Sequence, residues 1–356
     1  MAGFTGKPKT MKEINVALIK NELKKIGAAT RAELSEITGI SQTTVRSLLE
    51  ELLQNNEVIR LGLDKSSGGR RAERYALNLE ESLALAFYIR DNFIEYVISN
   101  PLREIIENAR VEIGSTDYLY EIEKILDDIM KSKSNIKAIG IAVPGVVDIE
   151  KRKYLFGKNL KVWEESNIGE YIEEKYNIPV VLENDLNAMA FGHSICLMDR
   201  LDVDDLHILN MIYIHFTKSG VGSGIILNGE LIHGGSNLAG EIGFIPLGDG
   251  QYLNSFIESE PEDYSYIDTV SRVIATTNCV INPDLVVVGG ETFRENLINQ
   301  IIERCETYIA NKVMPEILIA EDSRRDCLTG IIELTIKLMY SGVKLVDNTK
   351  RNINRV

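Results

Sequence analysis

The apolar pattern of the chain changes character once, near residue 79, and this change limits the possible folds more than any other feature. Before it, apolar residues recur at helical spacing: in INVALIKNELKKI, Ile14, Leu18, Leu23 and Ile26 are read as lying near one helical face. After it, strand-like runs such as SLALAFYIR, NIKAIGIAVPGVVD and DLVVVGG alternate with amphipathic segments such as STDYLYEIEKILDDIMKSK, which is the pattern of an α/β domain. At 356 residues, more than one core is expected. The expected division is 1–78 and 79–356.

Within residues 1–78, GAAT breaks the first helix. Thr30, followed three residues later by Glu33, has the spacing of a capping box that starts RAELSEIT, which Gly39 ends. Ser41 opens SQTTVRSLLEELLQNN, with Val45, Leu48, Leu49 and Leu52 on its inner side. Two short helices across a glycine turn have the form of a helix-turn-helix. The small polar start of the second one, Ser41, Gln42, Thr43 and Thr44 together with Arg46, suits base edges and phosphates. EVIRLGL and RRAERYALN then flank the tip DKSSGG as a wing, so that Gly69, Arg70 and Arg71 would meet phosphates or a minor groove. A three-helix bundle with a solvated basic hairpin is the plainer reading. Helix spacing, polar start, wing and charge together favour double-stranded DNA as the partner.

Charge agrees with that placement. The chain carries −14 overall, but residues 1–78 carry +4 and the remainder −18. A phosphate-binding surface is thereby restricted to the first segment. The four cysteines, Cys196, Cys279, Cys305 and Cys327, are scattered without a CxxC pair, against both a disulfide framework and a thiolate metal cluster. MAGFTGKPKT lacks the apolar stretch of a signal peptide, and no apolar run reaches the length of a membrane span, so a cytoplasmic protein without membrane contact is expected.

Three clusters in the body have chemical potential. Glu183-Asn184-Asp185 with Asn187 stands where a strand meets a helix, and either binds ligand hydroxyls or caps the helix. The run from Ser219 to Gly224, SGVGSG, reads either as an amide cradle for phosphate or as a hairpin turn. In Ala239-Gly240-Glu241 the carboxylate faces either a ligand or solvent.

In order, the segments GGRRAERYALN, IGIAVPGVVD, VVLENDLNAMAFG, SGVGSGIILNGELIHGG, LAGEIGF and INPDLVVVGG resemble the ROK family of repressors and sugar kinases over nearly the whole length. The resemblance implies an actin-like, ribonuclease-H-like two-lobed α/β domain behind the winged helix-turn-helix. It also implies a sugar or sugar phosphate effector in the cleft between the lobes. Asn184, Asp185 and Glu241 match the sugar-contacting positions. The family's kinases start this domain with Asp-x-Gly-Gly-Thr. Here YIRDNFIEYVISN stands instead, with Phe93 and Ile94 expected to obstruct the phosphate turn. In the second phosphate motif Ser219 replaces Thr and Lys218 replaces Gly. Phe244 takes the place of the zinc-binding His, and IPLGDGQYLNSFIESE, where the cysteine ligands should follow, contains no sulfur. Only 36 residues separate Phe244 from Ile281, fewer than the family's usual helical insert. Glu258 and Glu260 are the candidates for a missing sugar contact.

The expected protein is a homo-oligomeric (dimeric or tetrameric) regulator that represses sugar-utilisation genes, with no catalytic residue, metal or cofactor. Two other readings are a sugar kinase carrying a DNA-binding head, and a body that serves only as a dimerisation scaffold.

Overall fold

A computed structural model describes residues 8–63, 72–90, 92–113, 118–157, 160, 163–201 and 209–340. Gly69, Arg70 and Arg71 lie outside the described residues.

The first segment folds as three helices against a small sheet. Helix α1 (Pro8–Ile26) ends before strand β1 (Ala28–Thr30). Helix α2 (Arg31–Thr38) starts on the expected capping box: Thr30 Oγ1 accepts from Glu33 N, and Glu33 Oε2 accepts from Thr30 N. It stops at Gly39, whose φ of 70° is left-handed. Helix α3 (Gln42–Gln54) follows, and strands β2 (Val58–Leu63) and β3 (Glu73–Leu77) complete an antiparallel sheet in the order β1-β3-β2. GAAT is therefore more than a break, because Ala28, Ala29 and Thr30 pair with Ala76, Tyr75 and Arg74.

The buried seam of α1 also differs from the expectation. Ile19 and Leu23 are buried, whereas Leu18 and Ile26 are 39% and 45% exposed. The five-residue step from Leu18 to Leu23 turns about 140° around a helix of 3.6 residues per turn, so those two cannot share a face. Val16, Ile19 and Leu23 can.

The body repeats one sheet plan twice. In the first lobe, β4 (Leu83–Arg90), β5 (Phe93–Ser99) and β6 (Ile105–Glu112) form an antiparallel meander. After α4 (Tyr118–Ser132), β7 (Ile136–Val143) lies parallel to β4. The hairpin β8 (Val146–Asp148) and β9 (Lys153–Phe156) and helix α5 (Ile168–Tyr176) lead to β10 (Val180–Asn184), parallel to β7. The order is β10-β7-β4-β5-β6. Helix α6 (Asp185–Leu201) crosses to the second lobe, where β11 (Met211–Thr217), β12 (Gly220–Leu227) and β13 (Glu230–Leu231) form the meander. A small hairpin, β14 (Pro246–Gly248) and β15 (Gln251–Tyr252), precedes α7 (Leu253–Glu258) and α8 (Asp263–Ile281). Strand β16 (Leu285–Gly289), helix α9 (Ile298–Cys305) and strand β17 (Glu316–Ile319) close a sheet ordered β13-β12-β11-β16-β17. Helix α10 (Ser323–Tyr340) then returns to pack on the first lobe.

Strand alternation explains the layers. Leu85, Phe87, Ile139 and Ile141 face α4 and α5, while Ala84, Ala86 and Tyr88 face α10. In the second sheet Ile212, Ile214, Val286 and Val288 face α8 and α9, whereas Met211, Tyr213 and Val287 join the central layer of α6 and α10. Those two helices touch through glycine. A Cβ on Gly192 would lie 1.8 Å from the Asp326 carbonyl oxygen, and one on Gly330 would lie 1.9 Å from that of Ala188. No helix among the described residues is long and apolar enough to cross a membrane.

Candidate ligand cleft and reading helix

The start of α3 is built as the sequence led us to expect. Ser41 caps the helix, its Oγ accepting from Thr44 N at 3.3 Å. Ser41, Gln42, Thr43 and Arg46 are exposed, and Thr44 is half-buried. Arg46 donates to Glu50 at 2.8 Å. Arg46's hydrogen bond and charge hold the Glu50 carboxyl below its usual range, with help from Arg31 and Arg60. Arg31 and Arg60 therefore belong to this surface, although the sequence did not single them out. In hindsight, Arg31 was placed by the capping box directly before it. Several other head cations face carboxylates: Lys12 pairs with Glu51, Lys20 with Glu57, and Lys24 with Glu333 of the body. Of these three pairs only Lys24–Glu333 draws on a carboxylate of the body, since Glu51 and Glu57 are already counted in the head's +4.

Between the lobes lies a cleft of about 370 Å³ that Asn184, Asp185 and Glu241 all line. Most of the hydrogen-bonding capacity of Asn184 serves the fold, and one Nδ2 hydrogen stands outside the bonds that do so. Its Oδ1 accepts from Leu186 N and Asn187 N at 2.9 and 3.0 Å, capping α6, and its Nδ2 donates to the Gly145 carbonyl at 2.8 Å. Asp185 accepts from Leu186 N at 3.0 Å, and burial pushes its carboxyl up to about 7 against the opposing charge of Arg90. Burial also raises Glu241. Gly240, at φ 93°, lets that loop reach the cleft: a Cβ there would stand 2.1 Å from the Ser223 carbonyl oxygen. Beneath Asn184, buried Glu183 bonds Asn187 Nδ2 at 2.9 Å and His233 Nε2 at 2.8 Å, fixing the loop to the strand end. Burial alone would lower the His233 imidazole, but the bond and charge of Glu183 raise it.

Of the two readings of SGVGSG the hairpin stands, and the expectation for the first phosphate turn needs correction. The glycine run after Ser219 is mostly strand β12 and not a free loop. Its amides are already engaged: Val221 N donates to Asn254 Oδ1 at 2.7 Å, Ser223 N to the Gly240 carbonyl at 2.8 Å, and Ser219 N to Thr217 Oγ1 at 3.2 Å. Phe93 and Ile94 do not obstruct the first turn either, because both lie on β5, where Ile94 is core and Arg110 stacks on the Phe93 ring at 3.7 Å. The residue that enters the cleft there is Arg90, steadied by a 2.8 Å bond to Tyr88 Oη.

The sequence reading also missed His215, Glu291, Glu164 and Phe156, all in the cleft wall. His215 sits in an apolar strand run and Glu291 follows a double glycine, so neither carried a local signal. Phe244, at the place of the family's zinc His, lines the cleft and is 58% exposed. Glu258 and Glu260 line a neighbouring depression with Lys218 and Arg294 and stand outside the cleft.

Residues 93–262, which include strands of both lobes and much of the cleft wall, match the model described as "ROK family". The xylose repressor of Bacillus subtilis (strain 168) is 29% identical over 244 residues, 67% of this chain and 61% of that protein. The chain thus spans about three fifths of the length of the first curated relatives it matches. A putative xylose repressor of Caldicellulosiruptor sp. (strain Rt8B.4) is 26% identical over 398 residues, 93% of this chain and 97% of that one. Among solved structures, a ROK family transcriptional regulator described as a homologue of the E. coli Mlc protein superposes with a TM-score of 0.72 at 18% identity. It covers 93% of this chain and 99% of its own, a likeness of fold. The doubled sheet plan, the cleft at its centre and these matches agree: the chain carries a ROK family domain.

Proposed function

We propose that the chain is a DNA-binding transcriptional regulator, a repressor of sugar-utilisation genes. In this reading residues 1–78 are a winged helix-turn-helix that binds duplex operator, and residues 79–356 sense a sugar or sugar phosphate without phosphorylating it. The observation that carries it is a contrast within one molecule. The polar first turn of α3 is exposed on the head, while the cleft keeps two carboxyls for hydroxyls but has its glycine-turn amides engaged and Arg90 at the other turn. Phosphoryl transfer needs free donors around the nucleotide phosphates, and this cleft offers few. The names of the two xylose repressors support the same reading.

A route from ligand to head supports a regulatory role. Helix α6 begins at Asp185 in the cleft and packs on α10, whose Glu333 and Tyr340 touch Lys24 and Lys20 of α1. A homodimer fits the function, since paired heads match palindromic half-sites. Arg70 and Arg71, outside the described residues, are assigned to phosphate or minor-groove contact with Gly69 at the wing tip.

The test combines two measurements on the full chain. A sugar that binds the folded state raises the melting temperature and changes DNA affinity. The same sugar with Mg-ATP gives no phosphorylated product. Turnover that disappears in Asp185→Ala would make the body a kinase and overturn this reading.

A further inference from the structure

Building on the effector reading above, we propose that the cleft receives an uncharged saccharide of at least two rings, one ring on Asp185 and Glu241 and the next on Arg90 and His215. Four observations lead there.

The first is space. A hexose has 12 heavy atoms and fills about 180 Å³ at roughly 15 Å³ per packed atom. The cleft holds about 370 Å³, room for two such rings, and Asp185, Glu241, Arg90 and His215 all line it.

The second is an unmet hydrogen bond. His215 is 2% exposed and borders the cleft, and its Nδ1 has no partner among the described residues. Its register neighbours on the adjoining strands are Gly222 and Gly289, which place no side chain beside it, and its ring neighbour along the strand is Tyr213 at 6.1 Å. Buried polar atoms are paired in native structures as a rule, and a ligand in the cleft that His215 borders would supply the missing partner. Burial, aided by the charge of Arg90, pushes this imidazole down to about 4, so it meets the ligand neutral and suits a hydroxyl.

The third is charge. Glu164, Asp185, Glu241 and Glu291 line the cleft against the single guanidinium of Arg90. A phosphate or carboxylate group on the ligand would lie among four carboxyls, of which burial drives Asp185 and Glu241 toward their neutral forms, with one guanidinium to answer it. An uncharged polyol meets no such penalty.

The fourth is a pair of apolar faces. Phe156 and Phe244 line the cleft yet remain 44% and 58% exposed. Flat aromatic rings at a polar cleft accept the C–H faces of pyranose rings.

The experiment is isothermal titration of the full chain with xylose, glucose, N-acetylglucosamine and glucose 6-phosphate, and with xylobiose, cellobiose, maltose and gentiobiose. At least one disaccharide is expected to bind about tenfold or more tighter than its own monosaccharide and than glucose 6-phosphate. His215→Ala should remove that gain while leaving monosaccharide affinity within about twofold, and His215→Gln, which keeps a polar partner, should restore part of it. A disaccharide no tighter than its monosaccharide, or glucose 6-phosphate as the tightest ligand, overturns the two-ring site and leaves the effector reading standing. Equal losses for both ligand sizes in His215→Ala make the residue a support of the first ring and also overturn it. Binding of none of these ligands overturns the effector reading and this inference together.

Discussion

Lys24, in the last turn of the first helix, donates to Glu333 on the last helix at 2.8 Å, an ion pair between residues 309 positions apart. Both side chains are mostly buried, and Arg103 approaches the same carboxylate at 3.6 Å. Breaking one partner of such a pair leaves a desolvated charge behind. Glu333→Ala is expected to cost about 1.5–3 kcal/mol. In a double-mutant cycle with Lys24→Ala, chemical denaturation should report a coupling of at least about 0.5 kcal/mol. Additive losses would mean that head and body are not joined through this pair.

The crossing of α6 and α10 predicts a sharp steric response. Gly192→Ala puts a methyl group where a backbone oxygen already stands, so the helices must separate along the layer that joins the two sheets. The expected loss is about 1–3 kcal/mol, read as a lower urea midpoint. Gly235→Ala is the control, since a Cβ there meets nothing within 4 Å. Equal behaviour of the two variants would contradict the close approach.

Asp185 makes stability depend on pH in a definite direction. Its carboxyl ionises in the unfolded chain near 3.8 and in the folded protein near 7. Below the lower value both states hold the proton and burial carries no ionic penalty. Between the two, folding must retain a proton that the unfolded chain releases, so stability falls as pH rises and levels off above about 7. Asp185→Asn stays neutral throughout. It should gain stability over the parent at pH 8, by up to about 4 kcal/mol, and much less at pH 5. Urea denaturation at both pH values checks this, and a variant less stable than the parent at pH 8 would contradict it.

Local chemistry was the legible part of this sequence. The capping box at Thr30 and Glu33, the stop at Gly39 and the cap at Ser41 are each decided within a few residues, and each stands where it was read. The strand-to-helix junction at Asn184 and Asp185 was legible for the same reason. What failed depended on partners distant in sequence. Whether the amides after Ser219 are free depends on Asn254 and Gly240, and His215 meets glycines at its register positions on two other strands. Arg90 was hidden because a turn was judged by its bulkiest residues, Phe93 and Ile94, while the sheet drew both of those into a strand. Strand β6 went unread because its Ile105 and Ile106 are exposed neighbours, without the alternation that marks a half-buried strand.

The most direct measurement is selection of duplexes from a random pool by the full chain, followed by affinity titration across salt concentrations with and without a bound saccharide. Enrichment of a two-fold symmetric sequence is expected, with affinity that changes when the saccharide is added. Gln42→Ala should relax preference at one base step by about 1–3 kcal/mol. Arg31→Ala with Arg60→Ala should weaken selected and scrambled duplexes alike and lower the salt slope by about one to two units per head. A chain that enriches no sequence, and whose weak DNA binding ignores both the Gln42 and the arginine variants, would contradict the regulator reading at its root.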